Sequence, residues 1–480
     1  MKGLQKSIVI AFALLAGCAI PPRPQPPQLT SVALLAGVPG NSDSWPNDNW
    51  WQRYHDAQLD TLETRALAGA PTLAIARARF EQATRAVDIA KAESGLDVSA
   101  NAQLQRQRLS ENGLIPPKFL GFTWYGEGDL GLSFKYDFDF WGRHGAEVAA
   151  SLDLARAAAA ERDSATAMIT AAVADTYFGW QADQARLASA RELVAVQERI
   201  HSIAAARARQ GVDSNDIVLQ SDAQLASARE QVANIAGAAQ LQRAALAALL
   251  GIAPKDLPEL QPHELPSVAT SLPADAGLDL VSRRADVAAS RWRVEAALRD
   301  VDIARDAFYP DISLSALLGL QSIDLGKLLS PGSRVLSIGP ALHLPIFDNG
   351  RLHARFGASQ AALRAAVADY DAAVVDAARE AAMRALTLQQ VQGRQHEHAA
   401  QLAADDSLRK SAQSREARGV TDARPTLAAS AELQRERDAA IQLDAAALSA
   451  EIALTKALGG GYRMTTPDTN DSNVSGATSR

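Results

Sequence analysis

From Asp129 to Phe140 the chain reads Asp-Leu-Gly-Leu-Ser-Phe-Lys-Tyr-Asp-Phe-Asp-Phe, apolar at every even position and small or polar at every odd one. Side chains alternate across a strand, so one face is uniformly apolar and the other carries Asp129, Ser133, Lys135, Asp137 and Asp139. At about 3.4 Å per residue the stretch measures roughly 40 Å, and a tilt near ~45° brings that to a bilayer's hydrocarbon thickness. A strand of a soluble sandwich alternates in the same way. The neighbourhood favours the membrane: Trp124-Tyr125 and Phe140-Trp141 flank the stretch like interfacial girdles, and Gly142-Arg143 leads into a long alanine-rich helical pattern.

Read in order, the mature pattern predicts a Trp-rich start (Trp45, Trp50, Trp51, Tyr54), a helix from about Asp56 to Glu93 and a strand over 96–105. An exposed loop over 106–127 with Pro116-Pro117 follows, then the strand at 129–140. Helices are expected over 146–209 and 215–249, broken by Gln210-Gly211-Val212-Asp213-Ser214. The first of these would be about 96 Å long at 1.5 Å per residue. Residues 251–276, with five prolines from Pro254 to Pro273, form a non-helical linker. Beyond it come strands over 311–320 and 335–346, helices over 353–417 and 422–458, and a polar tail at 461–480.

The second half repeats the first. Val87-Asp88-Ile89-Ala90 returns as Val301-Asp302-Ile303-Ala304, Gly142-Arg143 as Gly350-Arg351, and Gly211-Val212 as Gly419-Val420. Two unrelated stretches would not share three landmarks in register, so 41–250 and 277–460 are read as two copies of one unit. The fold class is mainly α with a membrane β-barrel part: long helical hairpins plus four strands per chain. Four strands cannot close a barrel, and an open edge in lipid leaves backbone groups unpaired. Copies must therefore pool their strands. Two would give eight, with an interior filled by side chains, and three would give twelve, wide enough for a passage.

Composition adds an address. Ile8 to Ala16 is apolar behind Lys2 and Lys6, and Leu15-Ala16-Gly17-Cys18 closes the run as a lipobox around the only cysteine. Residues 1–17 are read as a signal peptide and Cys18 as a lipidation site, with Ala19 rather than aspartate after it implying outer-membrane sorting. The Pro-rich stretch after Cys18, within 18–40, predicts a stiff spacer that holds the body off the lipid. Aromatics make up only 5%, net charge is −7 and no basic cluster occurs, which excludes nucleic acid as a partner.

Catalytic chemistry is missing. His396 and His398 point about 200° apart on a helix and cannot share a metal. No Gly-x-Ser-x-Gly, Walker-type loop or dinucleotide fingerprint is present, so neither enzyme, cofactor nor metal site is expected. Energy for transport would come from a partner. A lining rich in methionine would favour copper or silver, but only Met1, Met168, Met383 and Met464 occur.

Together, the lipobox at 15–18, the Trp-rich start, Tyr136-Asp-Phe-Asp-Phe-Trp-Gly-Arg143, Arg284-Ala-Asp-Val287, Phe308-Tyr-Pro310, Pro345-Ile-Phe-Asp-Asn-Gly-Arg351 and the two Gly-Val turns resemble the TolC-like outer-membrane efflux factors, in their NodT-type lipoprotein branch. The resemblance covers essentially the whole mature chain. It implies a homotrimer in outer-membrane lipid, with one twelve-stranded barrel, a periplasmic helical tunnel and an equatorial domain built from the linker and the chain ends. The tunnel would meet a periplasmic adaptor (membrane fusion) protein and an inner-membrane pump, making the chain the passive exit duct of a tripartite efflux system for small toxic compounds. Protein secretion or metal-ion export by the same duct, and a structural coiled-coil lipoprotein, are the alternatives.

The resemblance further implies that the hairpin tips, here Gln210-Gly211-Val212 and Arg418-Gly419-Val420, meet the adaptor; glycine serves a plain turn at the same places. Gly142, Arg143, Gly350 and Arg351 would join barrel to helices. Acids that ring the family's closed aperture are replaced by Pro425 and Ala428, which leaves Asp213, Asp216 and Asp422 as aperture candidates. Asp422 would reach Arg415, Arg418 or Arg424 of a neighbouring copy, or these aspartates simply cap helices. The first strand also departs from the family, starting at Ser94-Gly95 instead of an aromatic-Pro pair.

Overall fold

The computed structural model describes residues 20–23, 25, 27–29, 45–112, 116–268, 273, 280 and 282–464. The signal segment, Cys18 and the tail beyond 464 lie outside the described residues. The chain forms two compact units, each drawing on both repeats. One takes residues 80–157 and 290–369 with the described residues up to Leu29, and the other takes 30–79, 158–289 and the residues from 370 onward.

The first unit holds one antiparallel sheet of β1 (Asp97–Arg108), β2 (Trp124–Phe138), β3 (Asp311–Ser322) and β4 (Arg334–His343), in that order. Its register aligns the alternation of all four strands. Ala100, Leu132, Leu318 and Leu336 share one row, and Val98, Phe134, Ala316 and Ile338 share the next row of the same face. The opposite face carries Asp97, Lys135, Ser315 and Gly339 in one row and Ser99, Ser133, Leu317 and Ser337 in another, Leu317 being the one large apolar side chain of these two rows. A slip of one residue would mix the faces, so the pattern itself fixes the pairing. In a single chain the apolar face is bare: Leu336 is 76% and Ile338 71% exposed.

Several boundaries differ from the sequence expectation. β1 runs to Arg108 and β2 starts at Trp124, so both ends of the expected loop 106–127 are sheet, with a one-turn helix at Pro117–Leu120 between them. The alternation is invisible there because the apolar face presents Gly126 and Gly128. β2 stops at Phe138 rather than 140, since the Asp139 carboxylate turns to accept the Gly145 N–H at 3.0 Å. The helix expected from Asp56 to Glu93 is two, α1 (Ala57–Gly69) and α2 (Pro71–Glu93). Pro71 has no N–H to donate and drives Ala70 to an extended ψ of 124°.

The remaining helices are α3 (Arg143–Arg209), α4 (Asn215–Leu250), α5 (Ala285–Asp306), α6 (Arg351–Ala417) and α7 (Arg424–Ala457). Among the described residues none is long and apolar enough to cross a membrane.

The second unit has the main core. Trp50 and Trp51 of a 3-10 turn pack with Leu59 and Leu62 of α1, Tyr177, Phe178 and Trp180 of α3, Leu246 and Leu250 of α4, and Leu257 and Leu260 of the linker. Each such leucine is worth about 1.5–3 kcal/mol when fully buried, which is enough to hold the N-terminal turn and the linker on the helices. Polar contacts set their register. Asp56 caps α1 at Gln58 and Leu59 and accepts the Tyr177 hydroxyl at 2.6 Å. The linker's backbone N–H groups at Gln261 and His263 donate to the side-chain oxygens of Gln58 (2.7 Å) and Gln181 (2.8 Å). Ahead of α5, buried Arg284 donates to Asp286 (2.6 Å), Glu380 of α6 (2.9 Å) and the Ala457 carbonyl that ends α7 (3.0 Å).

One buried group works against the fold. Glu63 of α1 is fully buried, neither carboxyl oxygen has a hydrogen-bond partner, and burial, reinforced by Asp60, pushes its pKa up to about 9. The folded chain therefore holds a proton that the unfolded chain releases above its ordinary value of 4.5, so this group's contribution declines as pH rises from about 4.5 to about 9. Glu63→Gln is expected to raise the melting temperature at pH 8, to have little effect at pH 5, and to flatten the pH dependence between them. A wild-type slope retained in the variant would show that Glu63 is already ionised in the fold.

Candidate functional site: membrane sheet, hairpin tips and anchor segment

The polar face of the sheet carries Asp97, Glu127, Asp129, Asp137 and Asp311 against a single Lys135, whose ammonium is 3.0 Å from Asp137. The apolar face ends in rings at the side where the strands meet the helices. Tyr136 meets Phe138 edge-on at 5.0 Å, and Phe138 stacks on Phe140 at 5.6 Å. Trp141 stacks on Tyr309 at 4.6 Å and donates its indole N–H to the Pro310 carbonyl at 2.8 Å, tying the exit of β2 to the start of β3.

Both junctions then turn in the same way. Gly142 (φ +86°) and Gly350 (φ +79°) are left-handed, a conformation that glycine adopts without penalty. An aspartate covers each helix start: Asp139 accepts Gly145 N–H, and Asp348 accepts Gly350 N–H (3.1 Å) and Leu352 N–H (2.7 Å). Arg143 and Arg351, expected at these junctions, pair with Glu147 at 3.1 Å and Asp348 at 3.9 Å.

The hairpin tips are copies of one turn. Gly211 (φ +73°) donates to Ala208 and Val212 to Arg207, while Gly419 (φ +70°) donates to Glu416 and Val420 to Arg415. Each set satisfies the last carbonyls of its helix. Gln210 and Arg418 precede these glycines, and Val212 and Val420 are 57% and 67% exposed, so each tip presents one apolar side chain to solvent. Asp213 forms a double hydrogen bond with Arg207 (2.7 and 3.0 Å), which holds its carboxyl below the usual range. Asp422 accepts both the backbone N–H (3.1 Å) and the Nε (2.9 Å) of Arg424 and is likewise lowered. Asp422 also acts on Arg207, and Arg424 on Asp213, so charges of the two tips sense one another.

Within one chain Asp422 pairs with its own Arg424. Of the three aspartates considered as caps, none occupies the cap position of α4, which Ser214 holds; Asp216 is exposed in that helix's first turn.

The anchor segment shows an unexpected contact. Arg305 of α5 donates to the Pro21 carbonyl at 3.0 Å, and Arg23 lies 3.5 Å from Asp302 of α5. Pro21 and Arg23 therefore lie against this helix. No spacing in the sequence announces it. As for metal chemistry, His396 is exposed while His398 faces Glu436 of α7, and no three metal-ligating side chains converge among the described residues.

These features agree with known proteins. The chain is 33% identical over 471 residues to the multidrug resistance outer membrane protein MdtP of Shigella flexneri, covering 95% of this chain and 96% of that one. It is 34% identical over 423 residues to the putative multidrug resistance outer membrane protein MdtQ of Escherichia coli K12, covering 86% and 88%. Among solved structures, the outer membrane protein VceC of Vibrio cholerae superposes with a TM-score of 0.76 at 33% identity, over 87% of this chain and all of that one. The sequence profile of the outer membrane efflux proteins matches twice, at residues 62–252 and 279–460, in keeping with the internal repeat. The chain belongs to the outer membrane efflux protein family.

Proposed function

We propose that this chain is the passive outer-membrane exit duct of a tripartite efflux system, carrying small toxic compounds out of the periplasm. The observation that carries this reading is the sheet: two faces of opposite character held in register, with both edges, β1 and β4, open. An even number of antiparallel strands leaves the two edges running in opposite directions, so β4 of one copy can pair antiparallel with β1 of the next. Three copies give a twelve-stranded barrel with a watery lumen, and the hairpins α3–α4 and α6–α7 wall the periplasmic part of the path.

The tips at Gln210-Gly211-Val212 and Arg418-Gly419-Val420 are assigned to a periplasmic adaptor, with Val212 and Val420 as its apolar contacts. Asp213, Asp216 and Asp422 are assigned to the aperture. No Walker-type loop occurs in the sequence, and the flow is assigned to an inner-membrane pump. Cys18 is assigned the acyl anchor.

Deleting the chain from its host and following amphipathic dyes and drugs tests the assignment. Their accumulation is expected to rise several-fold; unchanged accumulation together with loss of a secreted protein would replace efflux by secretion. Conductance tests the lumen. In planar bilayers the acidic inner face should favour cations. Asp129→Asn with Asp137→Asn removes two acids and releases Lys135 from its partner, so the reversal potential should move toward anions. A potential unaffected by the double change would place these residues outside the conducting path. For the anchor, Cys18→Ser should remove the acyl mass from the intact protein in mass spectrometry.

A further inference from the structure

On the apolar face of the sheet the charged residues are Arg106, Arg108 and Arg334, and all three lie at the strand ends remote from the helices. Arg106 and Arg108 end β1, opposite Gly126 and Trp124, and Arg334 opens β4 opposite Leu320. Every acid of the strands falls on the other face. A face selected only for contact with acyl chains would carry no cation, and one selected for solubility would mix both signs. Three exposed arginines at one rim instead mark a layer where anions meet hydrocarbon.

The rim also has a shaped site. The connection after β3 folds over the apolar face, where Leu325 and Leu328 occupy the space that side chains at Gly126 and Gly128 would fill. Beside it opens a cleft of about 530 Å³ lined by Arg106, Phe122, Trp124, Ile323, Asp324 and Leu325. The Arg106 guanidinium lies 5.6 Å from the Trp124 ring centre, which orients it along the cleft wall. The one carboxylate, Asp324, is engaged by the Gly326 N–H at 3.0 Å and by Lys327 at 3.5 Å. Arg108 lies 3.8 Å from Glu111, an exposed pair that competes weakly for its charge.

We infer that this rim binds the phosphate of an acylated, phosphate-bearing lipid in the outer leaflet, with Arg106 and Arg108 on the phosphate and the aromatic cleft against an acyl chain. Guanidinium matches phosphate with paired hydrogen bonds, and the cleft joins such a cation to apolar walls, as a lipid joins its head to its tails. The inference rests on the duct reading for which rim is external.

The test uses the full acylated protein in maltoside micelles, which contain no phosphate. Thermal unfolding and native mass spectrometry are followed while a diphosphorylated glycolipid, its dephosphorylated form with identical chains, or inorganic phosphate is added. The phosphorylated lipid should raise the melting temperature and remain bound, with neither control doing so. Arg106→Gln and the double variant with Arg108→Gln should weaken that retention at least several-fold while keeping the wild-type melting temperature without lipid. The single variant keeps the test open should the double variant not assemble.

Equal responses to both lipids, an equal response to inorganic phosphate, or wild-type retention in the variants would overturn the inference. Conductance measured on the same samples separates the two readings. Channels that conduct yet ignore phosphate sink only the lipid site, and lipid binding without conductance sinks only the duct.

Discussion

The constraint on which everything else depends is the fate of the backbone groups along β1 and β4. Each is an edge strand, of 12 and 10 residues, in a sheet whose apolar face is made for hydrocarbon. Water can satisfy such an edge; lipid cannot, and each unpaired group then costs on the order of several kcal/mol. Among the described residues no helix packs along either strand. Pro340 does sit in β4, where its missing N–H is tolerated at an edge. The chain is complete only when another copy supplies the missing ladder, so assembly is a requirement of the sheet and not an embellishment of it.

Because the sheet must fit a lipid layer on one side and water on the other, its register carries the selectivity of the whole design. The rows Ala100–Leu132–Leu318–Leu336 and Ser99–Ser133–Leu317–Ser337 are neighbours along the strands yet face opposite solvents. The junctions protect that register. Trp141 bridges β2 to the start of β3 through Tyr309 and Pro310, and the aspartates at 139 and 348 anchor the first turns of α3 and α6. The β2–β3 pair is thereby held at the point where a slip would begin, and the exits of β2 and β4 are fixed to their helices.

What could be read from the sequence was what repeats with a physical period. Alternation revealed the strands, the helical pattern revealed the hairpins, and three landmarks shared between halves revealed the duplication. Boundaries failed where the period was carried by residues without a signal: Gly126 and Gly128 lie on the apolar face because Leu325 and Leu328 need the room, so the start of β2 looked like loop. The break at Pro71 was missed because apolar spacing continues across it. Local ion pairs were also out of reach. Arg207 and Asp213 lie on opposite sides of a turn, and only the left-handed Gly211 brings them together. A proline-rich segment reads as a free spacer, and nothing in its own composition could show that Arg305 would take the Pro21 carbonyl.

The tip charges bear on how such a duct can open. Interchain salt links would couple opening to the breaking of bonds between copies. Within one chain Asp213 and Asp422 each have an arginine partner, six and two residues away. Exposed pairs of this kind contribute little energy, and their main effect is to leave the tips near neutrality. What the tips then offer is Val212 and Val420, one apolar side chain on each of two turns built alike. A partner that covers both gains apolar contact without having to strip charges of water. The internal repeat therefore gives each chain two turns of the same build, each with one exposed valine.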